Sequence, residues 1–553
     1  MKPILISIIV AAAVSAACTS ARPQPAAEAP QRVEDVKGRA ATAAQCEAGK
    51  EPWRAQGSPK RGGTLTMGAL DIADLDQNAA NTQVRNSLLT GRGCFPTDTA
   101  VVPGLAKSWD VSTDGLTWTL KLRDDVKWHN LPPVNGRQFT SADVGWMIDY
   151  QNKGGIAVSN NLKVYWENVI HSEPDPYTVV LKLKEPDADF AGKLASGVNL
   201  MEPKEVGEAN GNFKTVSVGT GSFQVKDFKP QDYLLLTANP AYYEKGDDGK
   251  PLPYVDELRL IRFADYTAEL AAVRSGQLDS TDTFGLRKLD ADDLVKSNPK
   301  FKQWVLVQPT QGTLWFDPKK KPWDDARVRK AVALSVNRDD LVVSDQGGVA
   351  LSGFIPASFQ DYAWPEAKLK EKFKPDIAQA KKLLADAGYV NPPGLKIQTV
   401  QDYAQEAEVV QAGLKNIGID AGIEVTSDRS WTTTLIKGQF ELGWGAVGGA
   451  IVDNVGFWAS DLLRTGSSLN YARFSDPKFD QMAAAQAKEM DPTKRKQAID
   501  AIQDYLYEVW PNVPSVSRIY YNMLSCRTKN FKLVHLGRNP SGPMYAWLDN
   551  AGC

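Results

Sequence analysis

Residues 101–130 read VVPGLAKSWDVSTDGLTWTLKLRDDVKWHN, and their middle decides what kind of chain this is. Leu116, Trp118, Leu120 and Leu122 fall on one side, with Thr117, Thr119 and Lys121 on the other. That period of two is the pattern of a strand with one buried face. TVVLKL at 178–183 repeats it through Val179, Leu181 and Leu183, and RGGTLTMGAL at 61–70 predicts an earlier strand behind a glycine pair.

Between the strands the period changes. FTSADVGWMIDYQ at 139–151 opens a helix at Thr140 or Ser141, with Asp143 in its first turn. In DIAQAKKLLADAGY (376–389) Asp376 caps, Ile377, Ala380, Leu384 and Ala387 form an apolar stripe, and Gly388 stops the helix. DPTKRKQAIDAIQDYLYEVW (491–510) starts on Asp491-Pro492 and turns Ile499, Ile502 and Leu506 inward. Alternating strands and helices predict α/β units, and 553 residues are too many for one core, since single cores stop growing near about 250–300 residues.

The chain balances 64 Lys+Arg against 66 Asp+Glu, a net charge of −2, which argues against nucleic acid or a broadly anionic surface as partner. Its first residues differ from the rest. MKPILISIIVAAAVSAAC (1–18) has one Lys, an apolar run from Ile4 to Val14 and small residues up to Cys18, which predicts a signal peptide. Ser15-Ala16-Ala17-Cys18 is similar to a bacterial lipobox without its usual Leu, so Cys18 is the expected lipidation site, with cleavage at an Ala-x-Ala-like site as the alternative. Residues 19–60 read as a tether rich in Ala, Pro and charge. The remaining cysteines, Cys46, Cys94, Cys526 and Cys553, are disulfide candidates in an exported chain, with three pairings open.

Catalytic signatures are missing: there is no HExxH, no GxSxG, no GxxxxGK[ST] and no GxGxxG. The three histidines, His129, His171 and His535, are far apart and are read as structural or solvated. Asp124-Asp125, Asp324-Asp325 and Asp339-Asp340 are neighbours whose side chains do not face one another, which suits caps and surfaces better than acid–base work. GTGSF (219–223) lacks the lysine of a phosphate loop and reads as a strand entry needing backbone freedom. With 15 Trp, 17 Tyr and 18 Phe, the composition points to a binder that uses aromatic faces, not an enzyme. No cofactor and no metal are expected.

Seven blocks in order carry a resemblance: 101–130, GRQFTSADV (136–144), GTGSFQVKDFKPQDYLLLTANPAYY (219–243), PYVDELRLIRFADYTAELAAVRSGQLD (253–279), WDDARVRKAVALSVNRDDLV (323–342), AQAKKLLADAGY (378–389) and FSDPKFDQM (474–482). From Arg61 to about Tyr521 the chain resembles the extracytoplasmic solute-binding proteins of ABC importers, family 5, the peptide/nickel/opine type. The resemblance implies a two-lobed periplasmic-binding-protein-like α/β fold of the large type, with mixed β-sheets, an extra subdomain and a ligand cleft between the lobes. It maps lobe I to 61–105, 218–300 and 510–553, the inserted subdomain to 106–217 and lobe II to 301–509. It implies a periplasmic or cell-envelope receptor that hands a peptide, oligosaccharide or other small solute to an ABC permease and ATPase complex. A monomer is expected, held at the membrane if Cys18 carries lipid. The rival reading is a lipid-anchored enzyme or chaperone-like protein on the same scaffold, because fold alone does not fix function.

WGAVGGAIVDNVGFW (444–458) is the stretch expected to meet the solute. Family members place a Trp at the end of a second-lobe strand, followed in peptide binders by an Asp three residues on that pairs with the ligand's α-amino group. Trp444 matches the first element; the second is Val447. A buried ammonium without a carboxylate is costly, so free-amine peptides are disfavoured unless Asp453 reaches the same space. Scarce histidine disfavours nickel. The expected pocket residues are Trp444, Val447, Asp453, Asn454 and Trp458, with Tyr165, Trp166 and Asp71 bordering the cleft. Arg327 and Arg329 are expected in helix-start salt bridges, not an anion site.

Overall fold

The alternation of 116–122 does what the pattern predicts. Strand Thr117–Leu122 buries Trp118, Leu120 and Leu122 and runs antiparallel between strands Ala106–Val111 and Thr178–Leu183, with Val169–Asp175 outside the latter. Helix Ser141–Asn152 covers this four-stranded sheet, opened by a capping box between Thr140 and Asp143. Its buried Val144, Met147 and Ile148 join Trp128, Trp166, Phe190 and Phe213 in one apolar cluster that also takes in Leu88, Leu89 and Leu105.

The computed structural model describes residues 57–69, 72, 75, 81–91, 100–153, 163–197, 199–281, 285–345, 348–389, 394–447, 454–467, 469–532, 542–551 and 553. Cys18, Cys46, Asp71, Cys94, Asp453 and His535 lie outside them, as do the expected signal peptide and tether. Among the described residues no helix is long and apolar enough to cross a membrane.

A second sheet, of four strands, is mixed. Thr64–Ala69 runs parallel to Glu257–Arg262, which pairs antiparallel with Tyr233–Ala238, itself paired with Phe223–Lys229. Leu65, Leu234, Leu236 and Leu258 form its core with Met544 and Trp547 from the C-terminal residues. GTGSF does enter the strand Phe223–Lys229, but close approach, not a left-handed backbone, demands its glycines. A Cβ on Gly219 would stand 1.9 Å from the Val84 carbonyl oxygen, and one on Gly221 2.3 Å from that of Gln83.

The third sheet has six strands, in the order Val349–Leu351, Val513–Ser525, Phe301–Trp315, Leu442–Val447, Leu395–Val400, Ala421–Thr426. The last three are mutually parallel where they pair, and the rest antiparallel. Helices Ala326–Ser335, Ile377–Asp386, Ala404–Asn416 and Pro492–Val509 supply its largest cluster, which runs from Leu314 to Val516. Asp376 and Asp491 cap as expected, and Ile499, Ile502 and Leu506 are fully buried.

Two strands of this sheet are much longer than the others. Phe301–Trp315 and Val513–Ser525 pair with each other along most of their length. At one end they meet the residues around Ser280 and Leu286; at the other they lie within the six-stranded sheet. A strand pair continuous through two cores is the natural place for a hinge.

Candidate functional site

At the crossing point the ladder is broken. Val307 pairs with Ile519 and the next pair is Gln311 with Ser517, so Gln308, Pro309 and Thr310 bulge opposite the single residue Arg518. Beside the bulge, Val447 ends its strand paired with Gln311, and Trp444 lies three pairs further in, opposite Leu314.

Trp444 is fully buried and offers no free face. Its ring reaches over Gly312, where an added Cβ would sit 3.4 Å from the indole, and its Nε1–H donates to Glu406 Oε2 at 3.0 Å. Glu406 comes from the first turn of helix Ala404–Asn416, whose Ala407, Val410 and Leu414 pack on the sheet. Arg518 Nη2 donates to Glu406 Oε1 at 3.1 Å and to the Asp402 carbonyl, and its guanidinium lies 4.2 Å from the centre of the Tyr403 ring. Burial pushes the Glu406 carboxyl up to about 7, against the opposing pull of Arg518.

The opposite face of the sheet carries a hydroxyl and amide chain. Gln311 Nε2 donates to Ser352 Oγ at 2.9 Å and to the Gly353 carbonyl, and Ser517 Oγ donates to Ser352 Oγ at 3.0 Å. Trp315 Nε1–H donates to the Gly445 carbonyl at 3.2 Å, with Trp431 against Gly443 and Gly445. The glycines on either side of Trp444 are therefore needed to seat Trp431: a Cβ on Gly443 would stand 2.5 Å from that ring and one on Gly445 3.1 Å.

Asn454 and Trp458 sit apart from Trp444's hydrogen-bond partners. Both are buried; Asn454 Oδ1 accepts from the Phe457 N–H at 2.9 Å, and Trp458 packs edge-on against Phe457 in the apolar cluster of the six-stranded sheet. Tyr165 and Trp166 lie in the apolar cluster around Thr117–Leu122, Trp166 edge-on to Phe190 and Tyr165 under the Lys193 ammonium at 6.0 Å. What joins these two sets is the segment 187–193. Asp189 Oδ2 accepts from Arg495 Nη2 at 2.5 Å, the Ala188 N–H donates to the Ala487 carbonyl at 2.8 Å, and Asp189 lies against Gly456. Lys193 pairs with Asp187 at 2.6 Å and stabilises the Asp461 carboxylate, whose carboxyl burial nonetheless raises to about 6.

Other candidates resolve into architecture. Arg327 makes the expected helix-start pair with Asp325 at 2.6 Å. Arg329 does not: its guanidinium donates to the carbonyls of Val509, Trp510 and Trp323, closing the C-terminus of helix Pro492–Val509. His129 is sealed between Gly219 and Gly221, and burial lowers its pKa to about 4, so it is neutral. His171 faces Glu173 and Asp149 at the surface. Cys526 and Cys553, two of the candidates, are joined in a disulfide with a Cα–Cα distance of 5.6 Å. Among the described residues no group of three His, Cys, Asp or Glu could hold a metal ion.

Glu406, Arg518, Asp189, Arg495 and Gln308 were not singled out from the sequence. Glu406 left a signal: it stands on the buried stripe of its helix with Val410 and Leu414, where an acid is out of place unless paired. The others carry none, because their partners are distant in the chain.

The family model described as bacterial extracellular solute-binding proteins, family 5 middle, matches residues 100–468, about two thirds of the chain. A Brucella ovis protein whose name assigns it provisionally to ABC transporter peptide binding is 30% identical over 351 residues, covering 58% of this chain and 59% of that protein. The chain thus spans less than two thirds of that relative's length. Glutathione-binding protein GsiB of Escherichia coli K12 is 25% identical over 452 residues, 77% of this chain and 82% of its own. Among solved structures, periplasmic binding protein DppA of Helicobacter pylori with peptide STSA matches with a TM-score of 0.74 at 21% identity, over 89% of this chain and 99% of its own. Binding protein AgaA of A. tumefaciens R10 with agropinic acid matches at 0.73 and 23% identity, over 88% and 99%.

Proposed function

The chain belongs to the family 5 bacterial extracellular solute-binding proteins, and from that premise we propose that it is the receptor subunit of an ABC importer, taking a small organic solute between its lobes and presenting it to a membrane permease and its ATPase. Its fold is the two-lobed α/β architecture of periplasmic binding proteins. The observation that carries the reading is the pair of long strands, Phe301–Trp315 and Val513–Ser525, which continue from the residues bridged to Ser280 and Leu286 into the six-stranded sheet and shift register twice, between Val307 and Gln311 and between Gly312 and Thr313. Such a hinge lets the lobes close on a solute and exclude water, and closure is the signal a permease can read; no bond need be made or broken.

The three apolar clusters support lobe I around Thr64–Ala69 and Glu257–Arg262, the inserted subdomain around Thr117–Leu122, and lobe II around the six-stranded sheet. The crossings are best drawn at Gln308–Thr310 and at Arg518. Relatives named for peptide and glutathione, and neighbours holding a peptide and agropinic acid, set the range of solutes to try. Val447 stands where peptide binders of the family keep an acid, which favours neutral or amine-blocked solutes. Cys18 is the proposed lipid anchor, and the mature protein a monomer at the cell envelope.

A thermal-shift screen with free-amine oligopeptides, amine-blocked peptides and oligosaccharides tests the reading, because a ligand at 100 times its Kd stabilises the folded state by about 2.7 kcal/mol. A chain that no solute stabilises is not a receptor. If free-amine peptides give the largest shift, the argument from Val447 fails.

A further inference from the structure

Two bodies with separate apolar cores meet along residues 185–193. Phe190 and Leu194 belong to the cluster around Thr117–Leu122, and Phe457, Trp458, Ala483 and Ile499 to that of the six-stranded sheet. The contacts that bridge them here are polar. Asp189 Oδ2 accepts from Arg495 Nη2 at 2.5 Å in a nearly enclosed pair, and the Ala188 N–H donates to the Ala487 carbonyl at 2.8 Å. Glu185 and Lys488 pair at 3.2 Å on the exposed rim. Lys193, in the short helix Phe190–Leu194, pairs with Asp187 and is held as well by the charge of Asp461, at the end of Phe457–Asp461. The other side of the same cluster is built differently, since Leu88, Leu89 and Leu105 are part of its apolar packing. Parting an apolar seam costs about 25 cal/mol for each Å² exposed and leaves an adhesive patch; charged groups return to water. The seam at Leu88, Leu89 and Leu105 is thus made to stay, and the one at Asp189 and Arg495 to part.

We infer that Asp189 and Arg495, with the pairs beside them, are a closure latch that forms as the inserted subdomain comes down on lobe II and parts when the hinge at Gln308–Thr310 and Arg518 opens. The inference rests on the receptor reading, which supplies the lobes and the hinge, and adds the contact that sets the balance between open and closed. The latch admits one closed position, because the carboxylate fits only over a glycine: a Cβ on Gly456 would stand 2.0 Å from Asp189 Oδ2. That seat lies in the stretch 444–458, so the segment expected to meet the solute also receives the subdomain. Taking away one partner leaves the other charge buried in the closed form and hydrated in the open one. The closed-to-open ratio should then fall by about 100- to 1,000-fold.

Small-angle X-ray scattering of the full chain without solute tests the latch on wild type and two variants. Asp189→Asn keeps the shape over Gly456 and cancels the charge; Arg495→Ala removes the other partner. Hydrogen exchange of peptides covering Thr117–Leu122 and Leu442–Val447 reports whether each body stays folded. Both variants are expected to have a larger radius of gyration than wild type, with both strands exchanging at wild-type rates. An unchanged radius in either variant would overturn the latch, and so would an expansion accompanied by faster exchange in those strands, which is unfolding and not opening. Either outcome leaves the receptor reading standing, because the thermal-shift screen decides that separately. A chain that no solute stabilises fails as a receptor even where both variants expand.

Discussion

Asp189, just before the short helix that begins at Phe190, and Arg495, in helix Pro492–Val509, meet at 2.5 Å, with side chains only 11% and 6% exposed. Arg495 is held from behind by Gln486 Oε1 at 3.2 Å, and Gly456 makes room for the carboxylate, since a Cβ there would stand 2.0 Å from Asp189 Oδ2. The pair ties residues 306 apart in the chain, through a glycine that tolerates no side chain.

Removing one partner leaves the other buried and uncompensated. Arg495→Ala and Asp189→Ala should therefore each cost about 3–5 kcal/mol, and the double variant less than the sum of the two. Urea denaturation of the three variants checks this. Single losses below about 1 kcal/mol would show that the pair behaves as an exposed one.

Trp444→Phe keeps most of the ring but takes away the donor to Glu406 Oε2. The expected cost is about 1–3 kcal/mol, from an acceptor left unmet in the core. Trp444→Ala should cost about 3–5 kcal/mol through the cavity it opens. Solute affinity measured on the folded fraction of Trp444→Phe then separates packing from contact with solute. If it stays at the wild-type value, Trp444 acts by holding the sheet and not by touching what binds.

The strands and helices were legible because their signals are local. Trp118, Leu120 and Leu122 alternate within seven residues, and Asp376 and Asp491 mark helix starts that the structure reproduces. The two-lobed fold was legible only through the resemblance of whole blocks. The interior of the site was not, because what defines it is pairing between distant residues. Nothing near Asp189 in the sequence points to Arg495, and the bulge at Gln308 exists only relative to the register of Val513–Ser525. The stretch from Trp444 was expected to meet the solute; the glycines on either side of that residue, Gly443 and Gly445, make room for Trp431.

Cys526 and Cys553 close a loop of 27 residues onto the end of the long strand Val513–Ser525. Reduction, or Cys553→Ser, should lower stability by about 2–4 kcal/mol, chiefly by freeing the unfolded chain. Melting with and without reductant measures it. A Cys553→Ser protein that melts with wild type would mean that the C-terminal residues hold by packing alone.

Glu406 sets a pH dependence of known sign. Its carboxyl is pushed up to about 7 by burial, with Asp345 adding to the rise and Arg518 and the Trp444 N–H opposing it, against about 4.3 in an unfolded chain. The folded state holds this proton more tightly, so unfolding releases it throughout the interval between the two values. The stability contributed by the group is thus complete below about pH 4.3 and is lost as pH rises through about 7, a change on the order of 3 kcal/mol. Glu406→Gln keeps an acceptor for the indole and cannot titrate. Relative to wild type it should lose stability below about pH 5 and gain on it toward pH 8, so the two urea-midpoint curves converge or cross as pH rises. Parallel curves across that range would place the carboxyl's titration outside it and the Arg518 pair, not burial, in control of its charge.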